Sequence, residues 1–121
     1  MLDKGRASLA GTIGEYKYAC PLDQEFLAFA GIDAEALLRE LAAGKGDGDV
    51  LAWIGANARH PRNEAEVFAW SAYQNERGPG HPEKRAYFHE LHQQYGPERS
   101  DITSWFDLLD LDDHVSFGGK A

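Results

Sequence analysis

Apolar residues recur along this chain at the three- and four-residue spacing that is typical of amphipathic helices. The clearest example lies in the middle of the chain, where one helical face would carry Ala65, Phe68, Ala69, Ala72 and Tyr73. Alanine and leucine also outnumber valine, isoleucine and threonine, which favours helix over sheet. We therefore predict an all-α fold whose core is formed by such apolar faces.

Capping residues, prolines and glycines mark the ends of the predicted helices. Helix starts are predicted at Pro21, Asp33, Asp47, Asn63, Pro82 and Asp101. Glycine- or proline-rich turns follow, as at Gly31, Gly44 and Gly96. A helix over residues 2–10 is weakened by Gly5, and residues 12–20 are typical of an extended connector. The pattern predicts one compact domain over residues 1–121, with about six short helices and a loose tail over residues 114–121.

The chain has a net charge of −8 that is unevenly distributed. Residues 1–57 and residues 100–121 each carry a net charge of −4, whereas residues 58–99 contain six acids and six bases. An acidic protein lacks the basic face that a phosphate backbone requires, which argues against nucleic-acid binding. No apolar stretch reaches the length of a membrane span, and a single cysteine fits a reducing compartment. We therefore expect a cytoplasmic protein that does not enter a membrane.

Cys20 is the candidate catalytic residue, because it directly precedes the predicted helix start at Pro21. Backbone N–H groups and the helix dipole at such a position stabilise a thiolate. A catalytic cysteine also needs a base, and the nearest histidine in the sequence is His60. The alternative is that Cys20 packs as a small apolar side chain, as free cysteines commonly do.

His89 and His92 lie three residues apart on one predicted helix, a spacing that allows both to bind one metal ion. A zinc site needs further ligands, and the chain contains neither an H-E-x-x-H motif nor paired C-x-x-C motifs. A hydrogen-bonded histidine beside the apolar residues Phe88 and Leu91 explains His92 equally well. The sequence identifies no cofactor beyond this hypothetical metal.

Arginines and a tryptophan in the middle of the chain predict a ligand or partner surface. Trp53 and Trp70 lie off the apolar faces of their helices, so we expect one of these two rings to be partly exposed. Tryptophan and arginine are frequent at interaction hot spots, and Arg59, Arg62 and Arg77 are close to Trp70 in the sequence. The alternative is an ordinary mixed-charge surface.

Four segments in a fixed order carry a resemblance to a known family. They are residues 2–7 (LDKGRA), 11–16 (GTIGEY), 20–23 (CPLD) and 101–110 (DITSWFDLLD). The chain resembles an uncharacterised bacterial family, the domain-of-unknown-function family five-zero-six-nine, over nearly its whole length. The resemblance implies a small cytoplasmic bacterial protein and supplies no activity, cofactor or catalytic residue.

Three functions are compatible with these patterns. The leading hypothesis is a non-catalytic binding or interaction module that forms a homo-oligomer or binds a protein partner, because no complete catalytic set is present. The first alternative is a thiol-dependent enzyme or redox protein that uses Cys20 with a central histidine as base. The second alternative is a metal or anion site around His89 and His92.

Overall fold

A computed structural model describes residues 1–121 and contains seven helices and no strands. The all-α fold is therefore confirmed, with one helix more than about six. The helices are α1 (Leu2–Leu9), α2 (Pro21–Ala30), α3 (Ala34–Ala42), α4 (Asp47–Asn57), α5 (Glu64–Glu76), α6 (Pro82–Tyr95) and α7 (Trp105–Ser116). They form two compact units, Met1–Arg62 with α1 to α4 and Asn63–Ala121 with α5 to α7. That these units belong to one domain stays a prediction. None of the helices has the length and apolarity that a membrane crossing requires.

The first unit is built around α3, which packs against α1 and α4. Its buried residues are Leu27, Ala30, Ile32, Leu37, Leu41 and Val50. Gly5 of α1 is also buried, and a Cβ at this position would lie 2.5 Å from Cδ1 of Leu41. The glycine that weakens α1 as an isolated helix therefore allows it to approach α3 closely.

Helix α2 begins and ends at the predicted residues. Pro21 occupies its first turn, where a missing N–H leaves no partner unsatisfied. Gly31 ends the helix with a φ of 67°, in the left-handed region that glycine adopts most easily. Asp33 then begins α3, because its side chain accepts the backbone N–H of Ala36 at 2.8 Å. Local capping therefore predicts this part of the chain well.

The second unit is built around α7, which packs against α5 and α6. Its buried core residues are Phe88, Ile102, Leu108 and Leu111. The ring of Trp105 meets the ring of Phe88 edge-on, with 5.3 Å between the centroids. This contact holds the start of α7 against the middle of α6.

Helix α7 begins later than the predicted cap at Asp101. Its N-cap is Ser104, whose hydroxyl accepts the Asp107 N–H at 3.1 Å. Asp107 in turn accepts the backbone N–H groups of Ser104 at 2.8 Å and of Thr103 at 3.0 Å. Asp101 pairs with Arg99 instead, at 2.7 Å. The prediction that Asp101 caps this helix is therefore wrong.

The far end of α7 also differs from the prediction. The helix continues to Ser116, three residues into the segment predicted as a loose tail. The chain then folds back, because the Gly119 N–H donates to the His114 carbonyl at 2.8 Å. The His114 Nε2 is 3.1 Å from the Lys120 carbonyl oxygen. Backbone and side-chain hydrogen bonds to His114 thus order the end of the chain.

The core of the first unit predicts a contrast between two leucines. Leu37 is 0% exposed, and Leu51 on α4 is 70% exposed. We expect Leu37→Ala to lower the free energy of unfolding by about 2–5 kcal/mol, and Leu51→Ala to change it by less than about 0.5 kcal/mol. Guanidinium denaturation of both variants measures this contrast, and equal losses would contradict the described core.

The cap of α7 predicts a pH-dependent loss of stability. Hydrogen bonds from the Ser104 and Thr103 backbones lower the pKa of Asp107 from its ordinary 3.8. Its stabilising effect is therefore present above the unfolded value and lost as the pH falls through the lowered folded value. We expect Asp107→Ala to be less stable than the wild type at neutral pH, with a difference that shrinks below about pH 3.8. Urea denaturation across the pH range tests this, and a constant difference down to low pH would contradict it.

Candidate functional site

The apolar face of helix α5 points away from the interior of the second unit. Phe68 is 76% exposed and Tyr73 is 60% exposed, and Ala65 and Ala69 on the same face are exposed as well. The one fully buried residue of this helix is Gln74, which is 3% exposed. The prediction that this apolar face forms part of the core is therefore wrong.

The opposite side of α5 makes the contacts within the unit. Trp70, Ser71 and Arg77 are half-buried and share this side with Gln74. At the end of the helix, the Arg77 carbonyl accepts the Trp105 N–H at 3.0 Å, which ties α5 to the start of α7. A mixed aromatic and polar side thus faces inward.

We call the face formed by Ala65, Phe68, Ala69, Ala72 and Tyr73 the outer surface of α5. Two large aromatic side chains lie on it beside small alanines, and the exposed Glu76 continues the same face one turn beyond Ala72. Contiguous exposed apolar surface on a folded protein commonly marks an interaction site, whereas single exposed apolar residues are ordinary. The outer surface of α5 is therefore a candidate binding surface.

Two arginines of the predicted partner surface, Arg59 and Arg62, make contacts within the first unit. Arg59 Nε donates to the Gly31 carbonyl at 3.0 Å. Arg62 Nε donates to the Phe29 carbonyl at 3.0 Å, and its guanidinium lies 4.6 Å from the centroid of the Phe29 ring. Both side chains thus satisfy carbonyl groups at the C-terminal end of α2, as cationic groups often do.

The other two predicted surface residues belong to the second unit. Trp70 and Arg77 lie on the inner side of α5, and both are half-buried. The most exposed aromatic residues of the helix, however, are Phe68 and Tyr73, which the sequence pattern assigned to the core.

Cys20 lies in a charged cluster at the N-terminus of α2. The Lys4 Nζ is 3.3 Å from the Cys20 Sγ and 2.8 Å from Oδ2 of Asp23. Asp23 is buried, and the same oxygen accepts the Cys20 backbone N–H at 3.3 Å. Sequence reasoning missed Lys4, because nothing in the local pattern connects residues that lie sixteen positions apart.

The electrostatics of this cluster keep Lys4 charged. Burial lowers the pKa of Lys4, but hydrogen bonds with Asp23 and Cys20 outweigh it, so the pKa is raised. Burial, followed by the charges of Asp23 and Asp33, raises the pKa of Tyr18, whose hydroxyl donates to the Ala34 carbonyl at 2.9 Å. The cluster therefore holds the Cys20 thiol beside an ammonium group and a buried carboxylate at the N-terminus of α2.

No histidine of the first unit lies beside Cys20. His60 is at the other end of α2, where its backbone N–H donates to the Ala30 carbonyl at 3.2 Å. A helix of ten residues is about 15 Å long, so His60 is too distant to act as a base for the thiol. The other four histidines of the chain belong to the second unit.

The two histidines proposed as metal ligands differ in their surroundings. His89 is exposed, whereas His92 is half-buried and its Nε2 lies 2.8 Å from the Arg99 carbonyl oxygen. The His92 ring also meets Phe88 edge-on, with 6.4 Å between the centroids. No group of three potential metal ligands lies together in residues 1–121. These contacts favour the structural interpretation of His92.

Comparison with known families adds the chain's membership but no activity. Residues 1–115 match the family described as Domain of unknown function (DUF5069). The chain belongs to the DUF5069 family. The predicted resemblance is thereby confirmed, and a comparison with curated proteins finds no match. The DUF5069 match includes both the Cys20 cluster and the outer surface of α5, so both candidate sites lie within the family's domain.

Proposed function

We propose that this DUF5069 protein is a non-catalytic interaction module that binds a protein through the outer surface of α5. The observation that carries the proposal is the orientation of this helix, which exposes Phe68 and Tyr73 and buries Gln74. A helix that served only the fold would gain stability by burying the aromatic residues instead. Keeping them outside favours a role for them in binding.

The energetics of the surface fit a protein partner. Complete burial of an aromatic side chain such as Phe68 contributes roughly 1.5–3 kcal/mol, and aromatic residues are frequent hot spots at interfaces. The alanines between Phe68 and Tyr73 are small enough to admit side chains of a partner helix. The acidic residues Glu64 and Glu76 at the ends of α5 disfavour a nucleic-acid backbone as partner.

The cellular setting is part of the same proposal. We place the protein in the cytoplasm, because its one cysteine is a free thiol that a reducing compartment would preserve. The acidic composition suits a protein that associates with other proteins and not with anionic membrane surfaces.

Two phenylalanines of the second unit provide a matched test. Phe68 lies on the outer surface of α5, and Phe88 lies in the core. We expect Phe88→Ala to lower the free energy of unfolding by about 3–5 kcal/mol, and Phe68→Ala to change it by less than about 0.5 kcal/mol. Chemical denaturation at low protein concentration measures both values. A loss for Phe68→Ala similar to that for Phe88→Ala would make this face part of a core and reject the proposed function.

Thiol chemistry at Cys20 is a second candidate function, favoured by the position of Lys4. The Lys4 ammonium lies 3.3 Å from the Cys20 sulfur, and reactive cysteines are commonly found next to such cationic groups. Lys4 supplies a neighbouring charge in this function, and the central histidine as base stays a prediction. The two functions need not exclude each other, since the α5 surface and the cluster lie in different units.

The reactivity of Cys20 tests this second function. Removing the neighbouring charge with Lys4→Met should slow alkylation of Cys20 by iodoacetamide at neutral pH about fivefold, because a nearby charge at this distance contributes on the order of 1 kcal/mol. Arg6→Met is the matched control, since Arg6 lies on the same helix and pairs with Asp3 and Asp47. Mass spectrometry of timed samples gives the rates. Equal rates for all three proteins would assign Lys4 a structural role only.

A further inference from the structure

A cavity in the first unit is lined by α2, by the start of α3 and by residues 59–60. Its volume of about 450 Å³ lies within the range of roughly 300–1,000 Å³ that small-molecule sites occupy. We propose that this cavity binds a free α-amino acid with an aliphatic side chain. The proposal goes beyond the interaction function of α5, since every residue that lines the cavity belongs to the first unit.

Arg59 brings a positive charge to the cavity. Its backbone N–H and its Nε both donate to the Gly31 carbonyl, at 3.4 Å and 3.0 Å, so the side chain is held in place. The two terminal nitrogens of its guanidinium make no hydrogen bond within the chain. A guanidinium group binds a carboxylate through two parallel hydrogen bonds, so Arg59 would hold the carboxylate of the amino acid.

The ring of His60 lines the cavity beside Gly31. A Cβ at Gly31 would lie 2.7 Å from Cδ2 of His60, so the ring fits there only because residue 31 has no side chain. The His60 ring makes no hydrogen bond within the chain, and its backbone N–H is bound to the Ala30 carbonyl at 3.2 Å. His60 therefore offers a second polar group to the ligand from a fixed backbone.

Asp33 brings the opposite charge to the same cavity. One of its carboxylate oxygens caps α3 by accepting the Ala36 N–H at 2.8 Å, and the other makes no hydrogen bond or ion pair within the chain. Asp33 and Arg59 do not form an ion pair with each other. A ligand that carries both an ammonium and a carboxylate group would pair with both residues, whereas a simple anion would leave Asp33 uncompensated and repelled. An α-amino acid carries both charges at neutral pH.

The apolar part of the cavity selects the side chain of the ligand. Leu27 and Ile32, which are core residues of the first unit, line the cavity together with Ala28. An aliphatic side chain placed on these residues removes apolar surface from water, and a polar side chain would lose its own hydration there. Leucine and its close analogues therefore fit better than glycine or a charged amino acid.

The exposure of the charged residues sets the expected strength of binding. Asp33, Arg59 and His60 are all exposed, so water and salt weaken their attraction for the ligand. A small ligand in such a site is expected to bind with a Kd on the order of millimolar. Nuclear magnetic resonance of the backbone amides is suited to affinities of this order.

The first test titrates the full chain with L-leucine and follows the amide signals of residues 31–34 and 59–60. These signals should shift and saturate. Glycine, which lacks the aliphatic group, L-leucinamide, which lacks the carboxylate, and 4-methylpentanoate, which lacks the ammonium, should each bind about tenfold more weakly. If any of the three binds as tightly as leucine, the proposed class of ligand is wrong. Signals that do not shift up to the solubility limit of leucine would overturn the site itself.

The second test uses substitutions that remove a charge and keep the structural hydrogen bond. Arg59→Gln places an amide nitrogen where Nε donates to the Gly31 carbonyl, and Asp33→Asn keeps the oxygen that caps α3. Each variant should raise the Kd for leucine about tenfold. The matched controls Arg62→Gln and Glu35→Gln remove the same charges from residues that do not line the cavity, and they should bind as the wild type does. Unchanged binding in Arg59→Gln and Asp33→Asn, or equal losses in the controls, would overturn the proposal.

Discussion

Helix α5 packs against α7 through the side that carries Gln74, and the arrangement of the second unit depends on that contact. The Arg77 carbonyl receives the Trp105 N–H, and the Trp105 ring in turn packs on Phe88 of α6. This choice of side costs stability, because Oε1 of Gln74 is buried without a hydrogen-bond partner and Phe68 stays in solvent. A helix that buries an amide and exposes two aromatic side chains is consistent with a surface kept for binding.

The first unit depends on a different interaction, the ion pair between Lys4 and Asp23. It joins α1 to the N-terminus of α2, and burial of Asp23 makes the pair costly to break. The same ammonium lies beside Cys20. The residue before it, Ala19, has a φ of 56°, a left-handed conformation that is unfavourable for alanine. Structure and chemistry are therefore hard to separate at this cluster. A role in holding α1 against the start of α2 explains Lys4 without any catalysis.

Helix ends were predictable wherever local hydrogen bonds determine them. Asn63 begins α5 through a capping box with Glu66, and the two residues lie only three positions apart in the sequence. The start of α7 was missed because Asp101 and Ser104 are both able to cap a helix. The deciding signal was present in the sequence, since Asp107 follows Ser104 by three residues and completes a reciprocal cap. The helix start was therefore misplaced because two residues could cap the helix, and not because a capping signal was absent from the sequence.

The sequence by itself determined the helical class, most helix ends and family membership, because periodicity, capping residues and short sequence motifs are local properties of the chain. Only the tertiary structure decided which side of α5 faces inward, since a periodic pattern defines a face but not its direction. Likewise, Lys4 reaches Cys20 only once α1 lies against the start of α2. Contacts between residues distant in sequence depend on how helices pack, and packing is settled by the sum of many weak contacts that no local pattern contains.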